Sequence, residues 1–117
     1  MDNEFGKHYL VEFINCNAEK LKYVKDVKKV FISAAKKSNA TILKYYFNQF
    51  KPTGVSGIML IAESHFSIHT WPDHDYAAFD MFSCGHIESD IAISILRTGF
   101  EAEKAEVKII SRGRLLK

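Results

Sequence analysis

The chain has 117 residues and a formal net charge of +2, and 47% of its residues are hydrophobic. This length suits one domain around one core, and so small a charge does not argue for a nucleic acid or a membrane surface as partner. No apolar run approaches the roughly 18 residues of a membrane span, and the polar start does not resemble a signal peptide. We therefore expect a cytoplasmic protein whose two cysteines, Cys16 and Cys84, are reduced.

The first half of the chain predicts a strand, a long helix and two more strands. Residues 7–15 are rich in aromatic and aliphatic side chains, which favours a strand. Apolar residues then recur at helical spacing over 18–37, after Asn17, which suits a helix N-cap. Residues 41–50 are rich in Tyr and Phe, and residues 56–62 form an apolar run short enough for a buried strand.

The second half predicts two strands, a helix and a last strand. Residues 65–71 alternate, with His65, Ser67 and His69 on one side, and residues 76–83 form a further strand. Isoleucines spaced by four predict a helix that ends just before Gly99: Ile87, Ile91 and Ile95. A final strand covers 105–111.

This β-α-β-β-β-β-α-β order, with short connections in the middle, predicts an α+β fold. We expect a two-layer sandwich in which both helices cover one face of a mainly antiparallel sheet. The other face then needs cover, because Tyr and Phe crowd the strands. A homodimer with its sites at the interface is the natural solution.

The polar residues around 63–69 allow two kinds of chemistry. Ser64 could act as a nucleophile, but His69 lies five residues on and faces the opposite way in a regular strand, which counts against a simple Ser-His couple. Zinc is the other possibility, because four histidines lie near Cys84 in sequence. His65 and His69 are about 13 Å apart in an extended strand, so we expect no metal site.

The same region carries a family signature in three runs of sequence. They are Gly54-Val55-Ser56-Gly57, then Ile61-Ala62-Glu63-Ser64-His65 with Ser67-Ile68-His69-Thr70-Trp71-Pro72, then Tyr76-Ala77-Ala78-Phe79-Asp80-Met81-Phe82-Ser83-Cys84-Gly85. Together with Gly6-Lys7-His8-Tyr9-Leu10 near the start, they resemble the prokaryotic S-adenosylmethionine decarboxylase proenzymes. The resemblance covers nearly the whole chain.

The resemblance implies a cofactor that the chain makes from itself. Ser64 would attack the carbonyl carbon of Glu63, and the resulting ester would break down to leave a pyruvoyl group on residue 64. Two chains would result, residues 1–63 and 64–117. By the same resemblance, His69 takes the Ser64 α-proton and Ser56 stabilises the intermediate. Because Ser64 lies at the bond that is cut, residue 64 need not keep the regular strand geometry that separates it from His69.

The resemblance also implies roles in turnover. The pyruvoyl group would form a Schiff base with the substrate amine and serve as an electron sink for loss of CO2, and Cys84 would return the proton. Phe50 and His69 would stack on the substrate adenine, and Asp73 would lie near the ribose. The product would be the aminopropyl donor for spermidine synthesis. Cys16 has no such role, and we expect it in the core.

One departure from the family pattern keeps a second substrate class open. The family has Glu followed by an aromatic residue and Gly, whereas this chain has Asp73, His74 and Asp75. A pyruvoyl-dependent arginine or ornithine decarboxylase is therefore the alternative. A non-catalytic homologue is a further alternative, but Ser64, His69 and Cys84 are all present and favour an enzyme.

Overall fold

The predicted strand over 65–71 lies inside a six-stranded sheet in the computed structural model, which describes residues 4–114. The strands are β1 Gly6–Ile14, β2 Ile42–Gln49, β3 Val55–Ile61, β4 Ser64–Trp71, β5 Tyr76–Ser83 and β6 Lys104–Arg112, and the helices are α1 Val24–Lys37 and α2 Ser89–Gly99. Short 3₁₀ helices cover Ala18–Lys20 and Pro72–His74. No helix in the described part of the chain is long and apolar enough to cross a membrane.

The sheet order is β2-β3-β4-β5-β1-β6, and every neighbouring pair is antiparallel. The predicted element order and antiparallel sheet are therefore confirmed. β3 and β4 form a tight hairpin, in which Ile61 pairs with Ser64 and Ser56 pairs with His69. This hairpin positions most of the predicted site residues.

One face of the sheet packs against both helices and forms the core. Alternate strand residues such as Phe66 and Met81 are fully buried there with Phe31 of α1 and Leu96 of α2. The Phe31 ring meets the Phe66 ring edge to face, with the ring centres 5.8 Å apart. The predicted two-layer sandwich with both helices on one face is thus confirmed.

The other face of the sheet, called the open face below, has no helix over it within residues 4–114. It carries the intervening strand residues, including His65, Ser67 and His69, as the alternation predicted. Large apolar side chains are also exposed on it: Leu10, Tyr46, Ile58, Leu60, Trp71 and Ile110. A surface with so many exposed apolar side chains is typical of an interaction site.

The prediction of one helix over 18–37 is wrong in its first third. The structure has the 3₁₀ helix Ala18–Lys20, a turn, and then α1 from Val24. The Asn17 side chain caps the short helix by accepting a hydrogen bond from the Glu19 backbone N–H at 3.0 Å. α1 therefore begins without the predicted cap.

The break in this helix has a tertiary cause. The Leu21 carbonyl accepts a hydrogen bond from Thr70 Oγ1 at 2.8 Å. The Lys22 carbonyl accepts one from Gln49 Nε2 at 2.8 Å and one from the Gly54 N–H at 2.9 Å. These partners come from β2, β4 and the loop before β3, so apolar periodicity along 18–37 could not reveal them.

The second helix also differs from its predicted bounds. α2 begins at Ser89, after Ile87, and includes Gly99 instead of ending before it. A side chain at position 99 would bring its Cβ within 2.4 Å of Val30 in α1. Gly99 is therefore explained by close packing of the two helices and not by a helix end.

Candidate active site

Glu63 adopts a strained backbone conformation at the tip of the β3–β4 hairpin. Its φ is 62°, in the left-handed region, which costs a residue with a side chain roughly 1–2 kcal/mol. Ala62 and Glu63 alone connect the strands. The strain therefore falls on the residue whose carbonyl is the predicted point of attack.

Ser64 follows directly and begins β4. Its hydroxyl is buried, and within residues 4–114 it is the one buried side-chain oxygen or nitrogen without a hydrogen-bond partner. An unsatisfied buried hydroxyl costs about 1–3 kcal/mol, so such groups call for an explanation. A hydroxyl without a partner is free to attack the neighbouring carbonyl.

The Cys84 thiol meets this same carbonyl from the end of β5. Cys84 is exposed, and its Sγ donates to the Glu63 carbonyl oxygen at 2.9 Å. A donor on a carbonyl oxygen stabilises the negative charge that develops there under attack. We call Glu63, Ser64 and Cys84 the turn end of the hairpin.

The other predicted residues gather at the opposite end of the hairpin. Ser56 Oγ lies 2.8 Å from His69 Nδ1 on the open face. Both residues line a cavity of about 590 Å³, together with Phe50, Asp73 and other residues of the neighbouring loops. We call Phe50, Ser56, His69 and Asp73 the far end.

Two aromatic rings extend the far end across the open face. The Trp71 ring centre lies 6.2 Å from that of His69 and is stacked on Tyr76 at 5.3 Å. Tyr76 in turn donates a hydrogen bond to the Glu12 carboxylate, and burial followed by this bond raises the Tyr76 pKa to about 12. These flat surfaces next to the cavity suit a planar ligand.

The turn end and the far end do not meet within one chain. Ser64 and His69 are five residues apart in a regular strand, roughly 16 Å, and their side chains face opposite sides of the sheet. That cleavage at Glu63-Ser64 frees residue 64 from this strand geometry stays a prediction, which the uncut chain does not test. Within one chain the predicted site residues therefore form two separate groups, one at each end of the hairpin.

The structure also brings together a cluster that the sequence did not reveal. On the open face, Asp80 Oδ2 lies 2.5 Å from His8 Nε2 and 3.0 Å from His65 Nε2, and Ser67 donates to Asp80 Oδ1. The contact depends on β1 lying next to β5, which is far from it in sequence. The alternation of β4 did put His65 and Ser67 on one side, and that was the only available signal.

These ligand atoms of His8, His65 and Asp80 lie within 4.8 Å of one another, close enough to hold a metal ion. However, Arg112 Nη1 lies 3.0 Å from His8 Nδ1. Because arginine can only donate, that nitrogen accepts, and the His8 proton resides on Nε2, which donates to Asp80. In this cluster the Asp80 carboxylate therefore accepts hydrogen bonds from its neighbours, among them His8 and Ser67.

The two cysteines differ in the way the sequence predicted. Cys16 is buried in the core, and burial, with the Asp75 carboxylate adding to it, raises the pKa of its thiol to about 11. Such a thiol remains protonated and unreactive near neutral pH. Both thiols are free, so Cys84 is the one available for chemistry.

Comparison with known sequences identifies the family. A profile of S-adenosylmethionine decarboxylases matches residues 7–113. The chain belongs to the S-adenosylmethionine decarboxylase family. A relative from Thermodesulfovibrio yellowstonii, named S-adenosylmethionine decarboxylase proenzyme, is 45% identical over 92% of this chain and 81% of its own. One of the same name from Thermococcus gammatolerans is 42% identical, over 92% of this chain and 76% of its own.

A solved structure supports the same assignment. The crystal structure of the adenosylmethionine decarboxylase from Aquifex aeolicus matches 94% of this chain and 92% of its own, with a TM-score of 0.87 and 30% identity. The fold of the family is thus shared over nearly the whole chain. The turn end, the far end and the Asp80 cluster all lie within the matched residues 7–113.

The loop after Trp71, where this chain departs from the family pattern, is well fixed. Asp75, where the resemblance leads us to expect glycine, has φ of 52°, a left-handed conformation that Asp tolerates better than most residues. Its carbonyl accepts a hydrogen bond from the Cys16 N–H at 2.8 Å. The substitution therefore keeps a loop conformation that suits glycine, and leaves Asp73 beside the cavity.

Proposed function

We propose that this chain is a self-processing, pyruvoyl-dependent decarboxylase of S-adenosylmethionine. The observation that carries the proposal is the turn end. There a left-handed Glu63, an unpaired Ser64 hydroxyl and a thiol that donates to the Glu63 carbonyl meet at one peptide bond. The positive φ at a residue with a side chain, the unpaired hydroxyl and the thiol contact together favour breaking this bond.

Self-cleavage then runs through these side chains. The Ser64 oxygen attacks the Glu63 carbonyl carbon, while Cys84 stabilises the charge on the carbonyl oxygen. Expulsion of the Ser64 nitrogen leaves an ester. A base removes the Ser64 α-proton, and the Glu63 carboxylate departs as dehydroalanine forms. Addition of water and loss of ammonia leave the new chain end, so residues 1–63 and 64–117 become separate chains.

The turn end also fits a pyruvoyl group. Such a group at residue 64 would supply a carbonyl that takes up the substrate amine and accepts the electron pair left by CO2. The exposed Cys84 thiol next to residue 64 can then donate a proton to the substrate Cα. Cys84 thus acts first on the Glu63 carbonyl and afterwards on the substrate.

The base and the binding residues come from a second copy of the chain. Ser56 and His69 are roughly 16 Å from Ser64 within one chain, too far for proton transfer. A copy packed against the open face can bring its own far end to this turn end, and a twofold arrangement completes both sites at once. The exposed apolar side chains of the open face would be buried by the same contact.

The position of the twofold axis follows from this pairing. If Ser64 of each copy meets His69 of the other, the axis passes near the midpoint between these residues in one chain. That midpoint lies at Ser67, which is bonded to Asp80. The Asp80 clusters of the two copies would then face each other across the axis, between apolar residues such as Leu10 and Ile58.

The far end suits the adenosyl part of the substrate. Phe50 and His69 both border the cavity and can stack on the two faces of adenine, and Asp73 lies at the same cavity for the ribose hydroxyls. A sulfonium close to aromatic rings is stabilised as other cations are. The half-exposed Phe50 ring has room to take up a ligand.

The arginine or ornithine alternative is not favoured. The relatives reported above are named for S-adenosylmethionine, and the aromatic surfaces next to the cavity suit adenine better than an aliphatic side chain. The product would be the aminopropyl donor for spermidine synthesis.

Release of labelled CO2 tests this proposal. Purified protein is incubated with carboxyl-labelled S-adenosylmethionine, arginine or ornithine, with the Ser64→Ala variant as control. We expect CO2 from S-adenosylmethionine alone and none from the control. Release from arginine or ornithine without release from S-adenosylmethionine would contradict the substrate assignment.

A further inference from the structure

The Gln49 side chain, at the end of β2, binds backbone groups of two segments, residues 22–24 and the loop 50–54. Its Nε2 lies 2.8 Å from the Lys22 carbonyl oxygen and 3.0 Å from those of Phe50 and Gly54, so its two N–H donors serve three acceptors and one donor is shared. Its Oε1 accepts from the Val24 N–H at 2.8 Å. Because carbonyls require a donor and an N–H requires an acceptor, only one orientation of the amide satisfies all four groups.

These bonds fix the loop that carries Phe50. The Phe50 N–H donates to the Gly54 carbonyl at 2.8 Å, and the Gly54 N–H donates to the Lys22 carbonyl at 2.9 Å. The loop is thereby closed on itself and attached to the turn before α1. Gln49 bonds to both ends of this loop and to its anchor, so its amide sets where the Phe50 ring enters the cavity.

The opposite wall of the cavity uses the same anchor. Thr70, between His69 and Trp71, is buried; its Oγ1 donates to the Leu21 carbonyl at 2.8 Å and accepts from the Val55 N–H at 2.9 Å. Gln49 and Thr70 therefore tie the two cavity walls to adjacent carbonyls. This shared anchor explains why the helix predicted over 18–37 is interrupted there.

We propose that Gln49 is a positioning residue for substrate binding, which holds the loop 50–54 so that Phe50 presents its ring to the adenine. Gln49 does not itself contact the substrate. The inference rests on the proposed function, because it assumes that Phe50 stacks on the adenosyl group. Gln49, an exposed strand residue, thus contributes to the affinity for the substrate and not to the chemical steps at Ser64 and Cys84.

A purely structural role for Gln49 makes a different prediction. The Val24 N–H is the first of α1, and Tyr23 before it provides no side-chain cap, so Gln49 Oε1 also caps this helix. Tyr23→Ser would provide a local cap without restoring the bonds to the loop. The two roles can therefore be separated.

The test compares Gln49→Met, which has similar size and no hydrogen bonds, with Gln49→Met/Tyr23→Ser and the wild type. We expect KM for S-adenosylmethionine to rise about tenfold in both variants, the size expected for losing one or two neutral hydrogen bonds. The kcat and the rate of self-cleavage should remain within about twofold of wild type, since Cys84 and Ser64 are untouched. Tyr23→Ser should restore thermal stability and leave KM high.

Two results would overturn the inference: an unchanged KM in Gln49→Met, or a KM that returns to normal with Tyr23→Ser. If Gln49→Met does not fold, Gln49→Glu serves instead, because it keeps the acceptor for the Val24 N–H and loses both N–H donors. The same rise in KM is expected of it, and an unchanged KM would count equally against the inference.

Hydrogen exchange gives a readout that does not need activity. The amides of Phe50 and Gly54 should exchange faster in Gln49→Met and in the double variant than in wild type, and unchanged exchange would overturn the inference. A wild-type protein that releases no CO2 from S-adenosylmethionine would overturn the proposed function instead. The two failures are therefore distinguishable.

Discussion

The two ends of the β3–β4 hairpin are built in opposite ways. At the turn end, Glu63 is held in a left-handed conformation and the Ser64 hydroxyl is buried without a partner. At the far end, Ser56 and His69 are paired, and the loop behind Phe50 is held by the Gln49 amide. The turn end therefore contains a strained residue and an unsatisfied hydroxyl, whereas the polar groups named at the far end are hydrogen-bonded.

This difference indicates how the two ends are used. In the proposed function the turn end changes covalently once, and local strain and an unsatisfied hydroxyl both raise the energy of the uncut state. The far end must bind substrate at every turnover, which calls for a fixed geometry. Because the ends are roughly 16 Å apart within one chain, the proposed function has a second copy of the chain join them.

The largest expected effect is at Ser64 itself. Ser64→Ala should abolish self-cleavage and decarboxylation together, because no ester can form. Gel electrophoresis and CO2 release measure the two outcomes, and Ser94→Ala, at an exposed position in α2, is the matched control. Cleavage at Glu63 in the Ser64→Ala protein would refute the nucleophile assignment.

Mixing two inactive variants tests whether the ends belong to different copies. A dimer of one Ser64→Ala chain and one His69→Ala chain has one site with both residues intact. Coexpression should yield about a quarter of the wild-type activity, because random pairing makes about half of the dimers mixed, each with one of its two sites. Each variant alone should be inactive. A coexpressed pair as inactive as its parents would rule out the shared site.

Substitution of Cys84 should separate cleavage from turnover. Cys84→Ala should lose about 100-fold or more in kcat, the usual size of a lost general acid, and should still cut at Glu63, though more slowly. Cys84→Ser keeps a donor for the Glu63 carbonyl and should cut faster than Cys84→Ala. Equal rates of self-cleavage in the two variants would show that Cys84 does not assist cleavage through the Glu63 carbonyl.

The smallest effect concerns the strain at Glu63. In the uncut Ser64→Ala background, Glu63→Gly should raise the free energy of unfolding by about 1 kcal/mol, because glycine adopts positive φ without penalty. Glu101, with φ of 52°, is the control: Glu101→Gly should stabilise similarly, yet only Glu63→Gly should slow cleavage in the Ser64 chain. Denaturant unfolding and cleavage rates measure this, and no gain at position 63 would show that Glu63 is not strained.

Local patterns predicted the sheet better than the helices. The alternation over 65–71 gave the correct facing of His65 and His69, because a half-buried strand imposes that period directly. The helix over 18–37 was overextended because its break is caused by Gln49 and Thr70, which approach from distant strands. Apolar spacing along one segment cannot report such bonds.

The site was predicted unevenly for a similar reason. The family resemblance predicted Ser64, His69 and Cys84 as site residues, but it did not reveal that Ser64 and His69 are held apart on opposite sides of the sheet, since that depends on strand register. The Asp80 cluster depends on β1 joining β5, a contact between residues about 70 positions apart. No local signal connects His8 with Asp80.

The central claim is that Ser64 is consumed to make a pyruvoyl group, and intact-mass spectrometry of the purified protein tests it most directly. The account predicts two fragments, residues 1–63 and 64–117, with the second lighter than a chain beginning with serine by one ammonia. A single species with the mass of the uncut chain after prolonged incubation, or a second fragment that begins with intact serine, would contradict it.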